Sequence, residues 1–338
     1  MADKPPQEFA ALLAIVRGYQ RSRAVTVAAE LGIADLLRDD PRPVDELAAT
    51  TDTDPSALYR LLRALAAIGV FTEGPGRRFG LTAMGEYLRR DHPLSVDPAA
   101  RMFGADYQWR AWAELGHSVR TGENAAVRAL GEDVWEYRRR HPDDGAVFDA
   151  TMAVFSRAEA GGVLAAHDFG RYPVIADVGG GTGAVLASIV AAHPRTRGLL
   201  YDQEHVVANA APVLREAGVA DRVRVVAGDF FETVPRGADA YLLVRILHDW
   251  EDRDALRILR TVRAAMTPEA RVIVVDAVVG PPDEDPLTKF LDLLMLVSAG
   301  GRERTEEEWR ALLGAADLAC VGTTWATPTR YVIEAAPR

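Results

Sequence analysis

The sequence contains a single cysteine, Cys320, among its 338 residues. One thiol excludes an internal disulfide and a metal cage built from several cysteines. Histidine is also scarce: none of the seven has a second histidine four positions further on, so no zinc-binding helix is predicted. No apolar run approaches the roughly 18 residues that a transmembrane helix requires. Disulfides, metal and membrane spans are therefore not part of the expected structure.

An excess of positive charge is missing as well, since the formal net charge is −10. This balance argues against nucleic acid and anionic membranes as partners. The opening segment, "MADKPPQEFAALLAIVRGYQ", has a short apolar run that Arg17 interrupts, which does not fit a signal peptide. The hydrophobic fraction of 49% is ordinary for a globular protein, so the sequence predicts a cytoplasmic protein of about two domains.

Two halves of the chain differ in their periodicity. Residues 1 to about 168 are predicted to be mostly helical, whereas β-rich runs alternate with helices, one of them at 206–217, from about residue 172 onward. That alternation predicts a doubly wound parallel sheet. The last two β runs, 319–326 and 330–337, are separated by only three residues. Because a parallel crossover needs a longer connection, we expect them to pair antiparallel at one edge of the sheet.

Residues 43–82 have the outline of a winged helix, with two helices followed by two short strands around "EGPGRR". One interpretation is DNA binding, and the other is a structural or dimerising module. The second helix, from about Pro55, offers only Arg60 and Arg63 as cations, and a phosphate-binding helix usually carries more. The helices of 8–38 carry more apolar surface than one chain is expected to cover, which favours a homodimer.

The segment "DVGGGTGAV" (177–185) follows the first strand of the predicted sheet and opens a helix, as a nucleotide-binding loop does. Gly179 and Gly181 lie in this loop, and Asp177 precedes it. A carboxylate beside a pyrophosphate is costly, so NAD is disfavoured, whereas the ammonium and sulfonium groups of S-adenosylmethionine suit it. A tight turn without any ligand is the remaining alternative.

Further acids follow the next two strands. Asp202 ends the second strand and is suited to ribose hydroxyls. The third strand runs into "GDFF", in which Gly228 precedes Asp229, a candidate acceptor for the adenine amino group, and Phe230, a candidate for stacking on the ring. Because the carboxyl ends of parallel strands line one crevice, acids at three successive strand ends predict a ligand site there.

The motifs resemble those of the class I S-adenosylmethionine-dependent O-methyltransferases of the plant caffeate type and their bacterial natural-product relatives. The resemblance rests on "SVRTG", "DVGGGTG", "YDQEHVV", "GDFFETVP", "LHDWED" and "GGRERT", which occur in the family's order. It implies a Rossmann-like α/β fold with a seven-stranded sheet whose last strand is antiparallel. It also implies a helical, winged-helix dimerisation domain at 1–100, with an acceptor-lining segment and catalytic domain at 101–338.

In this family the histidine of "LHDWED" is the general base, and His248 matches it. An imidazole, with an ordinary pKa near 6.5, can take the proton of a phenol as the methyl group is attacked. The resemblance assigns two carboxylates to orient it, which are Asp276, usually a longer Glu, and Glu303. An acid near a helix N-terminus is the alternative for Glu303, and a helix cap is the interpretation of Asp249.

The remaining predicted contacts are less specific. Arg245 is also predicted to bind the cofactor. The candidates for the acceptor pocket, for each of which core packing is the alternative, are Trp109, Trp112, Met152, Phe155, Asp292 and Met295. Gln203 and Glu204 stand where relatives commonly carry Leu-Pro, so the cofactor contacts beyond Asp202 are expected to differ.

The preferred function is a metal-independent O-methyltransferase that acts on a phenolic hydroxyl of an aromatic small molecule, in natural-product biosynthesis. Three alternatives stay open. The fold and cofactor are also compatible with non-methylating chemistry, as in related hydroxylases or decarboxylases, although the presence of His248 favours transfer. A ligand-sensing winged-helix regulator would bind DNA, which the acidic charge disfavours, and an NAD-dependent reductase is disfavoured by Asp177. The sequence does not identify the acceptor.

Overall fold

A computed structural model describes residues 6–338 of the chain. The described residues divide into two compact units, the first formed by residues up to 109 with 146–154 and the second by 110–145 with 155–338. Among the described residues, no helix is both long and apolar enough to cross a membrane.

The first unit contains a helical segment and a small three-stranded sheet. Its elements are α1 (Gln7–Val16), α2 (Gly18–Glu30), α3 (Ile33–Leu36), β1 (Arg42–Pro43), α4 (Val44–Thr51), α5 (Pro55–Ala67), β2 (Phe71–Gly74), β3 (Arg78–Leu81) and α6 (Asp97–Gly104), with α7 (Asp106–Ala113) following. The order of its sheet is β1-β3-β2. Helices α4 and α5 followed by the β2–β3 hairpin form the winged helix that the sequence predicts.

Helix α5 illustrates how this unit forms. Asp54 caps the helix by accepting a hydrogen bond from the amide of Ala57, and a proline occupies the first turn, where no amide partner is needed. Leu58, Leu62 and Leu65 follow at helical spacing and are buried. They form one face that packs into the core of the unit.

The second unit contains a seven-stranded sheet with helices on both faces. Its elements are α8 (Leu115–Thr121), α9 (Ala125–Leu130), α10 (Val134–Arg140), α11 (Pro142–Ala166, part of which belongs to the first unit), β4 (Val174–Val178), α12 (Ala184–Ala192), β5 (Arg197–Asp202), α13 (Glu204–Val207), α14 (Ala210–Glu216), β6 (Val223–Ala227), β7 (Ala240–Val244), α15 (Asp252–Ala265), β8 (Arg271–Asp276), α16 (Pro286–Val297), α17 (Glu306–Ala315), β9 (Leu318–Thr327) and β10 (Arg330–Pro337).

The strand order of the large sheet is β6-β5-β4-β7-β8-β10-β9. Strands β4 to β8 pair in parallel, and β10 is antiparallel to both β8 and β9. The predicted edge hairpin and the antiparallel last strand are therefore confirmed. Buried apolar side chains on the two faces of the sheet form two core clusters.

The sequence-based prediction of a single helix at 206–217 is wrong. Two short helices, α13 and α14, occupy this stretch, and the break falls between Val207 and Ala210. Pro212 in the first turn of α14 has no amide to donate to the carbonyl of Ala208, four residues earlier, and its ring crowds that carbonyl, which explains the break.

Candidate active site

His248 lies in the connection between β7 and α15. Arg245, the first residue after β7, adopts a positive φ of 54°, and a single 3₁₀ turn at Leu247–Asp249 follows. This tight turn places His248 at the carboxyl edge of the sheet, where it is only 5% exposed. A buried histidine at the end of a central parallel strand faces the crevice in which such folds bind ligands.

Two buried carboxylates contact the imidazole. Nδ1 of His248 lies 2.7 Å from Oε1 of Glu303 and 3.4 Å from Oδ1 of Asp276. The other oxygen of Asp276 accepts a hydrogen bond of 3.3 Å from the backbone amide of His248. Since a carboxylate accepts, Nδ1–H donates to Glu303, and in the neutral ring Nε2 then carries the lone pair. The shorter Asp276 thus reaches both the ring and the backbone of His248 directly.

A third carboxylate lies on the other side of the ring, because Oδ1 of Asp249 is 3.7 Å from Nε2 of His248. The sequence-based interpretation of Asp249 as a cap of α15 is wrong. The cap position is Glu251, and Asp249 belongs to the preceding 3₁₀ turn. The turn directs its carboxylate towards the nitrogen that Glu303 leaves open.

Burial and charge act in opposite directions on His248. Burial lowers the pKa of this histidine, but the carboxylates of Asp276, Glu303 and Asp249 outweigh that effect and raise the pKa to about 9. Burial also raises the pKa of Asp276, to about 6. Without a bound ligand, the three carboxylates around His248 therefore favour its imidazolium form near neutrality.

The same three side chains have the spacing of a possible metal site. The ligand atoms of His248, Asp276 and Glu303 lie within 4.8 Å of one another. A metal ion would have to replace the proton that Nδ1 shares with Glu303. The expectation that no metal is required stays a prediction.

The glycine loop after β4 packs closely against the segment that precedes His248. Gly179 has a φ of +72°, and a Cβ there would lie 2.5 Å from Cδ1 of Ile246. Gly181 also has a positive φ, of 61°, and its Cβ position meets no atom within 4 Å. Packing against Ile246 therefore requires glycine at position 179, whereas the space beside Gly181 is open.

Asp177 lies beneath this loop and is 1% exposed. Its Oδ1 atom has no hydrogen-bond partner among residues 6–338. Burial, and to a smaller degree the charge of Asp202, raise the pKa of Asp177 to about 7. A buried carboxyl group with an unsatisfied oxygen is suited to a cationic ligand, because such a ligand would favour its charged form.

Backbone amides orient Asp202, the last residue of β5, and Asp229, which follows β6. Asp202 accepts hydrogen bonds from the amides of Gly181 (2.8 Å) and Gln203 (2.7 Å), which join the end of β5 to the glycine loop. Asp229 accepts from the amide of Phe231 and is exposed. A Cβ at Gly228 would lie 2.2 Å from the hydroxyl of Tyr201, so this position requires glycine. Phe230 lies edge-on to Trp250 with ring centroids 6.1 Å apart.

Arg245 has partners on α11 in the second unit. Its guanidinium donates to the hydroxyl of Ser156 at 2.7 Å and to the carboxylate of Glu159 at 3.3 Å. It also lies 6.0 Å from the ring centre of Phe155. These contacts join the segment before His248 to α11, and the cofactor-binding role of Arg245 stays a prediction.

The predicted acceptor-binding residues fall into both units. Trp109 and Met152 belong to the first unit, whereas the second unit contains Trp112, Phe155, Asp292 and Met295. The carboxylate of Asp292 accepts a hydrogen bond of 2.8 Å from the amide of Glu303, so it contacts the loop that orients the base.

One buried charged residue next to the cluster was not predicted. Arg304 follows Glu303, is 1% exposed and contacts the His248 segment. No periodic signal marks it, because its partner Asp252 is 52 residues away in the sequence.

Comparison with known proteins shows the family of the chain. Residues 112–319 match the family model of the O-methyltransferase domain, and residues 13–91 match that of the O-methyltransferase dimerisation domain. The phenazine O-methyltransferase PhzM of Lysobacter antibioticus is 40% identical over 326 residues, which are 96% of this chain and 95% of that protein. An 8-amino-8-demethylriboflavin N,N-dimethyltransferase of Streptomyces davaonensis is 40% identical over 339 residues, with 97% of each chain covered.

A solved relative contains ligands. NcsB1, an O-methyltransferase from neocarzinostatin biosynthesis, was determined with S-adenosylmethionine and 2-hydroxy-5-methyl naphthoic acid. It is 32% identical, has a TM-score of 0.80, and the match covers 94% of this chain and 96% of that one. The sheet order, the glycine loop and the buried histidine define a class I S-adenosylmethionine-dependent methyltransferase. Within that class, the chain belongs to the O-methyltransferase family, and S-adenosylmethionine is its methyl donor.

Proposed function

We propose that this enzyme methylates a phenolic hydroxyl of an aromatic small molecule and that His248 is the general base. The observation that carries the proposal is the 2.7 Å contact between Nδ1 of His248 and Glu303. It fixes the tautomer in which Nε2 accepts the proton that the hydroxyl loses as its oxygen bonds to carbon. S-adenosylmethionine, when bound, supplies the electrophilic methyl group on a positively charged sulfur.

The negative charge of the carboxylates around His248 suits the removal of a proton from a phenol. A phenol has a pKa of about 10, so an efficient base needs a pKa that is not far below that value. Glu303 and Asp276 raise the pKa of His248, which makes it a stronger base than a free imidazole. The pKa of His248 falls when a cationic donor binds beside it, because like charges disfavour the imidazolium. Donor binding therefore favours the neutral ring that the reaction requires.

The carboxyl ends of β4, β5 and β6 form the proposed donor site. Asp177 would face the cationic part of the donor, since its Oδ1 atom is buried without a partner. Asp202 would bind the ribose hydroxyls, and Asp229 and Phe230 would bind the adenine. The Cβ position of Gly181 is open, so its backbone can approach a ligand closely, and Gly179 and Gly228 are proposed to contact the donor through their backbone atoms.

A second candidate is methylation of an amine, because one similar protein is named as an N,N-dimethyltransferase. The two reactions differ in their need for a base. A neutral amine already presents its lone pair, whereas a phenol must lose its proton. Dependence on His248 therefore distinguishes them.

The test combines the purified enzyme with S-adenosylmethionine, EDTA and a panel of mono- and polycyclic phenols and aromatic amines. Mass spectrometry detects an added methyl group, and His248→Ala is measured beside the wild type. We expect a methylated phenol whose formation the variant largely loses. Rates that fall with EDTA and return with a divalent cation would contradict the metal-independent mechanism. Donor binding without any methylated product would favour non-methylating chemistry.

Within the second unit, the acceptor site is proposed to include Trp112, Phe155, Asp292 and Met295, and contact of Trp109 and Met152 of the first unit with the acceptor stays a prediction. Aromatic and Met side chains offer flat, polarisable surfaces that suit a planar acceptor. Alanine variants of these residues should change the KM of the acceptor more than the affinity for S-adenosylmethionine. A larger change in donor affinity would place the residue on the donor side.

The enzyme is proposed to be a homodimer through residues 1–100. Four large apolar side chains of α1 are 59–74% exposed, and they are Phe9, Leu12, Ile15 and Val16. An exposed apolar stripe of this kind marks an interaction surface. Light scattering should give a dimer for the wild type and a smaller mass for Leu12→Glu with Ile15→Glu. A wild-type monomer would refute the proposal.

A further inference from the structure

Arg304 is a buried arginine next to Glu303. Its guanidinium donates hydrogen bonds of 2.9 Å to the carbonyl oxygens of Leu247 and Trp250, which lie on either side of His248 in the sequence. Its Nε atom donates to the carboxylate of Asp252 at 2.9 Å. One side chain of the Glu303 loop therefore holds the backbone turn that presents His248.

Arg304 is also connected to the end of β8, which carries Asp276. Its guanidinium carbon lies 5.2 Å from the ring centre of Trp309, a buried tryptophan whose indole N–H donates to the carbonyl of Ala277. The carbonyl of Arg304 accepts a hydrogen bond of 2.9 Å from the amide of Val279. Arg304 thus lies at the junction of the three segments that carry His248, Asp276 and Glu303.

The loop that carries Glu303 packs directly against the turn that carries His248. A Cβ at Gly301 would lie 2.0 Å from the carbonyl oxygen of His248, and the amide of Arg302 donates to that same oxygen at 2.9 Å. Arg304 donates to two further carbonyls of the turn, and one of them, that of Leu247, otherwise accepts only a long 3.4 Å bond from the amide of Trp250. Its planar fork reaches all three acceptors at once, and a lysine ammonium cannot reproduce that geometry.

We propose that Arg304 is a positioning residue that sets the contact between His248 and Glu303 and thereby the basicity of His248. It contacts neither Nε2 nor the proposed donor site, so it acts through the backbone of the His248 turn. The inference rests on the proposed role of His248 as the base. It predicts that loss of the guanidinium fork changes proton transfer while donor binding is retained.

The experiment compares Arg304→Lys and Arg304→Gln with the wild type. We expect kcat to fall about 10- to 100-fold, because a displacement of the base of about 1 Å has an effect of this size. The dissociation constant of S-adenosylmethionine, measured by calorimetry, should change little. The rise of kcat/KM with pH should move to lower pH, because His248 loses part of its contact with Glu303. Arg253→Ala is the matched control, since this nearby side chain is 87% exposed and pairs with Asp254.

A folded Arg304 variant with wild-type kcat and an unmoved pH profile would overturn the inference. If both variants unfold, Asp252→Asn decides, because it removes the negative charge of one acceptor of Arg304 and leaves the two carbonyls in place. A smaller shift of the profile in the same direction is expected there, and an unmoved profile would again overturn the inference. His248→Ala in the same assay tests the proposed base separately, so failure of the two ideas can be distinguished.

Discussion

Replacing Glu303 by glutamine tests the electrostatics of the base most directly. The amide has nearly the same shape as the carboxylate, so Glu303→Gln removes a charge 2.7 Å from Nδ1 of His248 with little change in volume. Both side chains are buried, and water therefore screens the pair weakly. The variant isolates the charge of Glu303 from the packing around it.

The size of the effect follows from this hydrogen bond. A hydrogen bond to a charged group contributes about 1.5–3 kcal/mol, and one pKa unit corresponds to about 1.36 kcal/mol. The pKa of His248, raised to about 9 in the wild type, should thus fall by about 1–2 units in the variant. Asp276 remains within 3.4 Å of Nδ1 and keeps part of the elevation.

The assay is kcat/KM for the phenol as a function of pH, at saturating S-adenosylmethionine. Only neutral His248 can accept a proton, so the rate rises as pH passes through its pKa. Lowering that pKa moves the rise to lower pH, while the plateau falls because the ring is less basic and less well oriented. The loss in rate should therefore be larger at high pH than near neutrality.

Two results for the Glu303→Gln variant would refute this reasoning. In one, kcat/KM rises at the same pH as in the wild type, and in the other it rises at a higher pH. Either would mean that Glu303 does not control the protonation of the base. Glu307→Gln is the matched control, because this carboxylate is exposed at the start of α17. It should leave the pH profile unchanged.

Three further changes have defined outcomes. His248→Ala should lower kcat by about 10²- to 10⁴-fold with unchanged donor affinity; a change in affinity alone, measured by calorimetry, would exclude the base role. Asp177 has a pKa raised from 3.8 to about 7 by burial, so its folded form loses stability as pH rises between these values. Asp177→Asn should therefore melt at a higher temperature than the wild type at about pH 8 yet bind S-adenosylmethionine more weakly, and unchanged binding would remove Asp177 from the donor site. Gly301→Ala should abolish most activity because its Cβ would lie 2.0 Å from the carbonyl oxygen of His248, whereas Gly322→Ala, with no atom within 4 Å, should behave as the wild type in the same assay.

Hydrophobic periodicity and turn lengths predicted much of the fold. The three-residue connection after residue 326 was enough to require an antiparallel hairpin, and the structure confirms it. The predicted helix at 206–217 failed because Pro212 cannot donate a hydrogen bond to the carbonyl of Ala208, where the helix breaks. Apolar periodicity indicates which face is buried, and it does not indicate where a proline interrupts the backbone hydrogen bonds.

Prediction of the candidate site from the sequence was limited in a similar way. Motif resemblance pointed to His248, Asp276 and Glu303, and the structure brings these three residues together. Asp249 was interpreted as a helix cap, because whether its carboxylate faces the ring depends on a single 3₁₀ turn. Arg304 was not singled out, since its acceptors are two backbone carbonyls and a carboxylate more than 50 residues away. Long-range contacts of this kind leave no pattern in the sequence.

The position of β10 has a consequence for how the protein is made. This strand is the last in chain order, yet it lies between β8 and β9 and pairs with both. While the chain is still on the ribosome, β8 therefore presents an unpaired edge until residues 330–337 emerge, and such an edge promotes association with other chains. A chain that stops before residue 330 should aggregate, even though His248, Asp276 and Glu303 are all present in it.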